Sequence, residues 1–428
     1  MTRTRLLFLV ALVAAAVYFV ADVRQRARLD RGVKRHRTDM TVYQAAAEAL
    51  VADEDPYAAR NPRGYGYVYP PLLAILFMPV AGWAPENAAL AWFIVSMLAF
   101  GSALWLLARM TLGGPDPAWR AVLVAAVVCL GFWHQGFQRG QVTHLLLGLQ
   151  VGALAALLGR RFLLAGLLVG LAGALRLTPL LPAAVVGLGL VVYAFKDGAF
   201  GALLSYVTGV VAALALGLVV LPWFALGTDG AREVNKRWLE VTRDLQTGDT
   251  DLQAAYRINE WRFKNQAPRR VFGTWAGWGT GAPFEKERPR FTNATTRHRV
   301  EGAAAGVALF ALLLALVLGV RWLRDPSGPH YALVFAAVML LPVFVTRYAW
   351  PTHFLFALPL VAMASARAPW RRRGFGLGPA VAVLFVGAAL FYAAHTPALQ
   401  WLGEAGCLLL ACAAFLGLTL TRGLQEPA

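Results

Sequence analysis

The feature that most constrains this chain is a train of apolar runs, each near the length of a membrane span, separated by polar breaks. The runs cover residues 6–23, 67–83, 88–108, 118–133, 142–159, 162–175, 177–195, 199–223, 302–322, 331–345, 352–366, 376–394 and 398–420. A spanning helix needs about 20 apolar residues, and most of these runs come close. In hydrocarbon the backbone must satisfy its own hydrogen bonds, which only helices and closed barrels do. No run alternates apolar and polar residues as barrel strands do. Ala and Gly are frequent in the runs, and small residues let helices pack closely in lipid. The expected fold is all-α and polytopic, a single integral membrane domain over residues 1–428.

Composition agrees with that reading. Hydrophobic residues make up 58% of the chain and charged residues 15%, against about 45–50% and 25% in soluble domains. So few charges could not cover a soluble protein of this size. A soluble enzyme, a disordered chain and a coiled coil are excluded. Net charge is +17, which in a soluble protein would point to nucleic acid. Here Lys and Arg sit mainly between the apolar runs, where they anchor loops to head groups and set orientation. The expected partner is the lipid bilayer, and no nucleic acid is expected. Cys129, Cys407 and Cys412 all lie inside apolar runs and read as small core residues.

Two polar segments interrupt the pattern, residues 24–66 and 224–301. Loops of this length without a core of their own are usually functional. Arg3 and Arg5 precede the first run, and Arg321, Arg324, Arg367, Arg371, Arg372, Arg373 and Arg422 follow three of the later ones. By the positive-inside rule both termini are expected to be cytoplasmic and both long loops external. Thirteen spanning runs would put the ends on opposite sides. One run between 118 and 195 is therefore expected not to span, and the run 162–175 is the shortest candidate. Seven basic residues between Arg24 and Arg37, against Asp30 alone, run counter to an external first loop.

Several polar residues could carry chemistry. Asp39 stands just before a good helix-forming stretch, where the helix dipole favours a carboxylate. It can serve as an N-cap, as a reactive group, or as both. Asp53 and Asp55 are rivals, but Asp55 precedes Pro56 and suits a turn. Tyr65, Tyr67 and Tyr69 flank Pro70-Pro71, either as an interfacial aromatic belt or as a platform for a sugar or lipid. Gln141 and His144 open an apolar run, where polar groups are costly unless paired, so they mark either a site or an interhelical hydrogen bond. Arg176 stands between two apolar stretches, either as a functional cation or simply in a loop. The stretch Asn259-Glu260-Trp261-Arg262-Phe263-Lys264-Asn265-Gln266 interleaves basic and aromatic groups that can bind phosphate or anionic head groups, or form a solvated face. Arg347-Tyr348-Ala349-Trp350-Pro351-Thr352-His353 brings a cation, aromatics and an imidazole to one turn. No phosphate-cradling glycine loop, HExxH zinc motif or GxSxG elbow occurs.

Taken in order, Asp39…Tyr43…Ala46, Asp55-Pro56-Tyr57 and Tyr67-Val68-Tyr69-Pro70-Pro71-Leu72 resemble the N-terminal signature of glycosyltransferase family 87. Gly140-Gln141-Val142, Arg176-Leu177-Thr178-Pro179, Lys264-Asn265-Gln266 and Trp350…His353 extend the resemblance over most of the chain. It departs at Arg347-Tyr348-Ala349, where Ser-Pro is more usual, and in having one His there. The resemblance implies a GT-C-like bundle of about 12 transmembrane helices with two long external loops. It implies a glycosyltransferase that moves a sugar, mannose in this family, from a polyprenyl-phosphate donor to a lipid or glycan acceptor at the outer face of the cell membrane, with inversion. Asp39 matches the catalytic base. With that chemistry implied, Lys264, Arg347, His353, Gln141 and Tyr69 are the expected groups for binding the donor phosphate or substrate. A single phosphate leaving group needs positive charge and hydrogen-bond donors, so no metal and no cofactor are expected. The competing class is a multi-span transporter or lipid or glycolipid flippase, which would place ionisable groups within the spans and often shows internal repeats.

Overall fold

The structure is a computed structural model, and it describes residues 3–28, 37–111, 115–247, 264–279, 294–328, 330–367, 378–396 and 399–424. Among these the chain is helical throughout, with one isolated β-bridge between Arg60 and Gly66. The stretch Asn259–Phe263 and the Arg371–Arg373 cluster lie outside the described residues.

The helices are α1 (Arg3–Ala27), α2 (Met40–Val51), α3 (Pro71–Phe77), α4 (Pro85–Met110), α5 (Pro115–Val128), α6 (Leu130–Arg139), α7 (Thr143–Leu158), α8 (Phe162–Leu175), α9 (Leu180–Asp197), α10 (Phe200–Ala215) and α11 (Leu221–Thr247). They continue as α12 (Pro268–Gly279), α13 (Ala294–Trp322), α14 (Tyr331–Leu340), α15 (Pro342–Val345), α16 (Leu358–Arg367), α17 (Gly378–Ala393), α18 (Gln400–Glu404) and α19 (Cys407–Gly423). A 3₁₀ segment, Pro351–Ala357, leads into α16.

Among the described residues four helical stretches are long and apolar enough to cross a membrane: Pro85–Met110, Leu180–Asp197, Phe200–Leu245 and His298–Trp322. Seven further apolar helices are 10–17 residues long, shorter than a straight crossing requires. The expected run 162–175 is one of them. The expected run 118–133 is not a single helix: it breaks at Cys129, and Ala118–Val128 and Leu130–Arg139 meet at 65°. The second helix, α6, LGFWHQGFQR, carries His134, Gln135, Gln138 and Arg139 and two glycines. Beyond the bend the helix thus runs from apolar Leu130-Gly131-Phe132-Trp133 into a polar end.

The chain divides into two compact units. The first comprises Met1–Ala103, His134–Ala183 and Leu204–Ile258. Within it α7 packs on α8, and α3 packs on α2, α8 and α11. Close approach is built into the sequence: a Cβ at Gly166 would stand 2.1 Å from the Tyr206 carbonyl oxygen, so α8 and α10 touch backbone to backbone only because that side chain is missing. The polar segment 24–66 contains α2, nine of whose twelve residues are buried. The second unit comprises Leu104–Trp133, Ala184–Leu203 and Asn259–Ala428. There α5 packs on α16, and α17 on α19. Cys129 and Cys412 are fully buried in it, as their place in apolar runs implied.

Candidate functional site

In the first unit, the site begins at a helix end. Gly140 terminates α6 with φ +64°, a left-handed conformation that glycine adopts without steric cost. The Gly140 N–H donates to Phe137 O at 3.0 Å and the Gln141 N–H to Gly136 O at 2.9 Å, the paired bonds of a glycine-ended helix. Trp92 Nε1 donates to Gly140 O at 2.9 Å. A Cβ at Gly140 would lie 2.8 Å from Met40 Cβ, so the turn lies directly against the start of α2. Arg139 O accepts the Asp39 N–H at 2.7 Å and Thr38 Oγ1 at 3.2 Å. Two sequence motifs a hundred residues apart are thereby locked together through the backbone.

Asp39 occupies the N-cap position of α2, but its side chain caps nothing. Thr38 Oγ1 instead accepts the Met40 N–H at 3.2 Å, and the Asp39 carbonyl accepts the Val42 N–H at 3.0 Å. This corrects the capping expectation, and the reason is that neighbouring groups already serve the first turn. The freed carboxylate accepts a hydrogen bond from Gln141 Nε2 at Oδ2. Arg139 Nη1 stands 3.9 Å from the same oxygen. The Asp39 side chain is 26% exposed, so a second molecule can reach it.

One turn along α2, Tyr43 is fully buried and its hydroxyl lies 3.5 Å from that of Tyr69. Burial pushes the Tyr43 hydroxyl well above the ordinary tyrosine range, and Tyr69 and the Asp39 charge push the same way while Arg176 opposes them. Tyr43 is therefore a neutral hydroxyl at physiological pH, within electrostatic reach of both Asp39 and Arg176. The other tyrosines of the cluster spend their hydroxyls internally. Tyr57 Oη donates to Tyr69 O at 3.0 Å, and Tyr67 Oη donates to Pro70 O at 2.5 Å while accepting the Ala74 N–H at 3.0 Å. Asp55 shapes a turn as expected, accepting the Tyr57 N–H at 2.8 Å, and pairs with Arg237 at 3.2 Å. His144 is packed in the core, stacked on Phe137 with ring centroids 3.7 Å apart.

The remaining candidates lie in the second unit. Asn265 is buried and ties the Lys264-Asn265-Gln266 stretch to the late turn. Its Nδ2 donates to Arg347 O at 3.2 Å, and its Oδ1 accepts the Ala349 N–H at 2.8 Å and the Ala267 N–H at 3.2 Å. The Gln266 N–H donates to Ala349 O at 2.9 Å. Lys264 and Arg347 are half-buried beside these bonds. His353 is buried in the 3₁₀ segment, its N–H on Trp350 O at 2.8 Å.

The structure thus joins Asp39 to Gln141 directly, reaches Tyr69 from Tyr43, and ties the Lys264-Asn265-Gln266 stretch to the backbone of Arg347 and Ala349 through Asn265. His353 lies beyond that tie, in the 3₁₀ segment. Sequence reading missed Arg139 and the brace formed by Asn265. The signal for Arg139 was its place before a helix-ending Gly, where a cation favours the helix C-terminus.

The sequence profile described as Glycosyltransferase family 87 matches residues 67–327, well over half of the chain. The chain belongs to glycosyltransferase family 87. The matched segment of this family 87 protein holds Tyr69, Gln141, Arg176 and Lys264, while Asp39, Arg347 and His353 flank it. It is a glycosyltransferase and a multi-pass membrane protein. No curated protein matches its sequence. Among solved structures it is similar to ArnT from Cupriavidus metallidurans bound to undecaprenyl phosphate, at 15% identity and a TM-score of 0.42 over 97% of this chain and 78% of that one. Apo ArnT from the same organism matches at 15% identity and a TM-score of 0.41, with the same coverage.

Proposed function

We propose that this family 87 glycosyltransferase moves a mannosyl group from a polyprenyl-phosphate donor to a lipid or glycan acceptor at the outer face of the cell membrane, with inversion. The observation that carries the reading is Asp39: a partly exposed carboxylate, not spent on its helix, held by Gln141 and flanked by Arg139. Such a group can accept a proton from an approaching hydroxyl. The acceptor oxygen then attacks the anomeric carbon, the bond from that carbon to the phosphate oxygen breaks, and the electron pair leaves with the lipid phosphate. The acceptor proton ends on Asp39. Attack opposite the leaving group inverts the anomeric centre.

Gln141 is a positioning residue in this scheme. Its amide fixes Oδ2 and leaves the other carboxylate oxygen for the acceptor. The donor's lipid tail stays in the bilayer among the apolar helices, and its phosphate leaves as a stable anion that needs cations and hydrogen-bond donors. Lys264, Arg347 and His353, in the second unit, are proposed as substrate-binding groups, and the Asn265 brace fixes the backbone at 347 and 349. The reading is tested by incubating the purified protein with labelled polyprenyl-phosphate mannose and membrane lipid extract, then digesting the product with α- and β-specific mannosidases. A glycosylated lipid or glycan of the anomeric configuration opposite to the donor's is expected. Retained configuration, or donor left unconsumed, contradicts it.

A further inference from the structure

The tyrosine cluster of the first unit ends at Tyr69, whose hydroxyl accepts from Tyr43 at 3.5 Å and keeps its own hydrogen to donate. Tyr43, Tyr57 and Tyr67 are fully buried, and the hydroxyls of Tyr57 and Tyr67 donate to backbone carbonyls. Tyr69 is only half-buried, and its backbone is pinned by the Tyr57 hydroxyl at 3.0 Å. The Arg176 guanidinium carbon lies 5.7 Å from the Tyr69 ring centroid. Arg176 is half-buried, and its extended backbone (φ −163°, ψ 135°) ends α8 between two apolar helices. A guanidinium kept partly in water and laid against an aromatic face is pre-ordered, and its planar fork matches the oxygens of a phosphate.

The placement relative to Asp39 gives this pair a use. Tyr43 stands next to Tyr69 through the hydroxyl contact of 3.5 Å, and its hydroxyl is influenced by Asp39 with one sign and by Arg176 with the other. A negative group and a positive group thus both act on one buried tyrosine, and the positive one lies against the ring of its neighbour Tyr69. Displacement at an anomeric carbon asks for that polarity: a base toward the incoming hydroxyl and a cation toward the departing phosphate.

We propose that Arg176 and Tyr69 form an anion site that takes the phosphate of a lipid phosphate, the donor's own leaving group. The proposal rests on the glycosyltransfer reading for the identity of the ligand and on the first unit's geometry for the site. Arg176 contributes charge and a two-pronged hydrogen bond, and the Tyr69 hydroxyl contributes one further donor. Neither residue removes or supplies a proton.

The test measures binding without turnover. Wild type, Arg176→Gln, Arg176→Lys and Tyr69→Phe are placed in phosphatidylcholine nanodiscs, and the binding of polyprenyl monophosphate is titrated with no acceptor present. Loss of a charge-assisted hydrogen bond corresponds to about a tenfold to hundredfold weakening. Arg176→Gln is expected to show a loss in that range, Tyr69→Phe a loss of roughly tenfold, and Arg176→Lys a value between wild type and Arg176→Gln. Thermal unfolding is recorded for each. Should Arg176→Gln fail to insert, Arg176→Lys and Tyr69→Phe still decide, and unchanged binding in both overturns the site. Equal affinity in wild type and Arg176→Gln overturns it as well. A second set of nanodiscs contains phosphatidylglycerol. If that lipid displaces polyprenyl phosphate from wild type but has no effect on what Arg176→Gln still binds, the cation serves a bilayer phospholipid and the donor assignment is overturned. A failure of the glycosyltransfer reading looks different: wild type binds the lipid phosphate through Arg176 yet transfers nothing from the sugar-charged donor.

Discussion

Asp39 and Gln141 form the contact on which the proposed chemistry depends. Asp39→Asn keeps size and removes the proton acceptor. Because the native side chain makes no cap bond, the change is expected to leave thermal unfolding close to wild type. Loss of a general base lowers the rate by about 10²–10⁴-fold, so the variant is expected to transfer almost no sugar. Turnover above roughly a tenth of wild type, outside any effect of that size, would show that the base lies elsewhere. Gln141→Ala removes one hydrogen bond to a charged group, worth about 1.5–3 kcal/mol. Its kcat is expected to fall roughly tenfold or more with KM for the donor unchanged. In an Asp39→Asn background the same substitution is expected to have no further effect, because the partner it orients is gone. A KM change in the single variant would make Gln141 a substrate contact instead.

At the scale of elements, the turn that ends α6 aims the site. Gly140→Ala would strain a backbone at φ +64° and place a Cβ 2.8 Å from Met40 Cβ. The conformational cost alone is about 1–2 kcal/mol. Activity is expected to fall further than stability does, because Gln141 and the Arg139 carbonyl move with the turn. Activity that tracks the melting temperature alone would show the turn to be scaffold. Much of this element was legible in the sequence. Gln141 stood out as a polar residue opening an apolar run, and Asp39 as the residue just before a helix. What could not be read was that they meet, since nothing in local propensity encodes a contact across a hundred residues. The same limit hid the Asn265 brace: its partners are backbone groups at 347 and 349, which no side-chain pattern reveals. The broken run 118–133 was misread as one helix because it is apolar on both sides of Cys129, and a 65° bend there leaves no mark in hydropathy.

At the scale of the whole molecule, the train of apolar runs established a helical multi-pass protein before any contact was known, since no other backbone arrangement satisfies itself in lipid without alternation. The proposed orientation rests on charge at the loop ends. With Glu54→Cys, exposed in the first polar segment, and Thr421→Cys, exposed near the end of α19, a membrane-impermeant thiol reagent is expected to label position 54 in intact cells. Position 421 should react only after permeabilisation, and the reverse pattern would invert the proposed topology. Transfer rather than transport is decided in sealed proteoliposomes carrying polyprenyl phosphate labelled in the lipid and charged with mannose labelled in the sugar. The expected result is label leaving the donor for the acceptor, one free lipid phosphate appearing for each sugar moved, and both signals lost in Asp39→Asn. Intact donor crossing the bilayer, at equal rates in wild type and Asp39→Asn and without release of lipid phosphate, would contradict a catalytic Asp39 and make the protein a flippase.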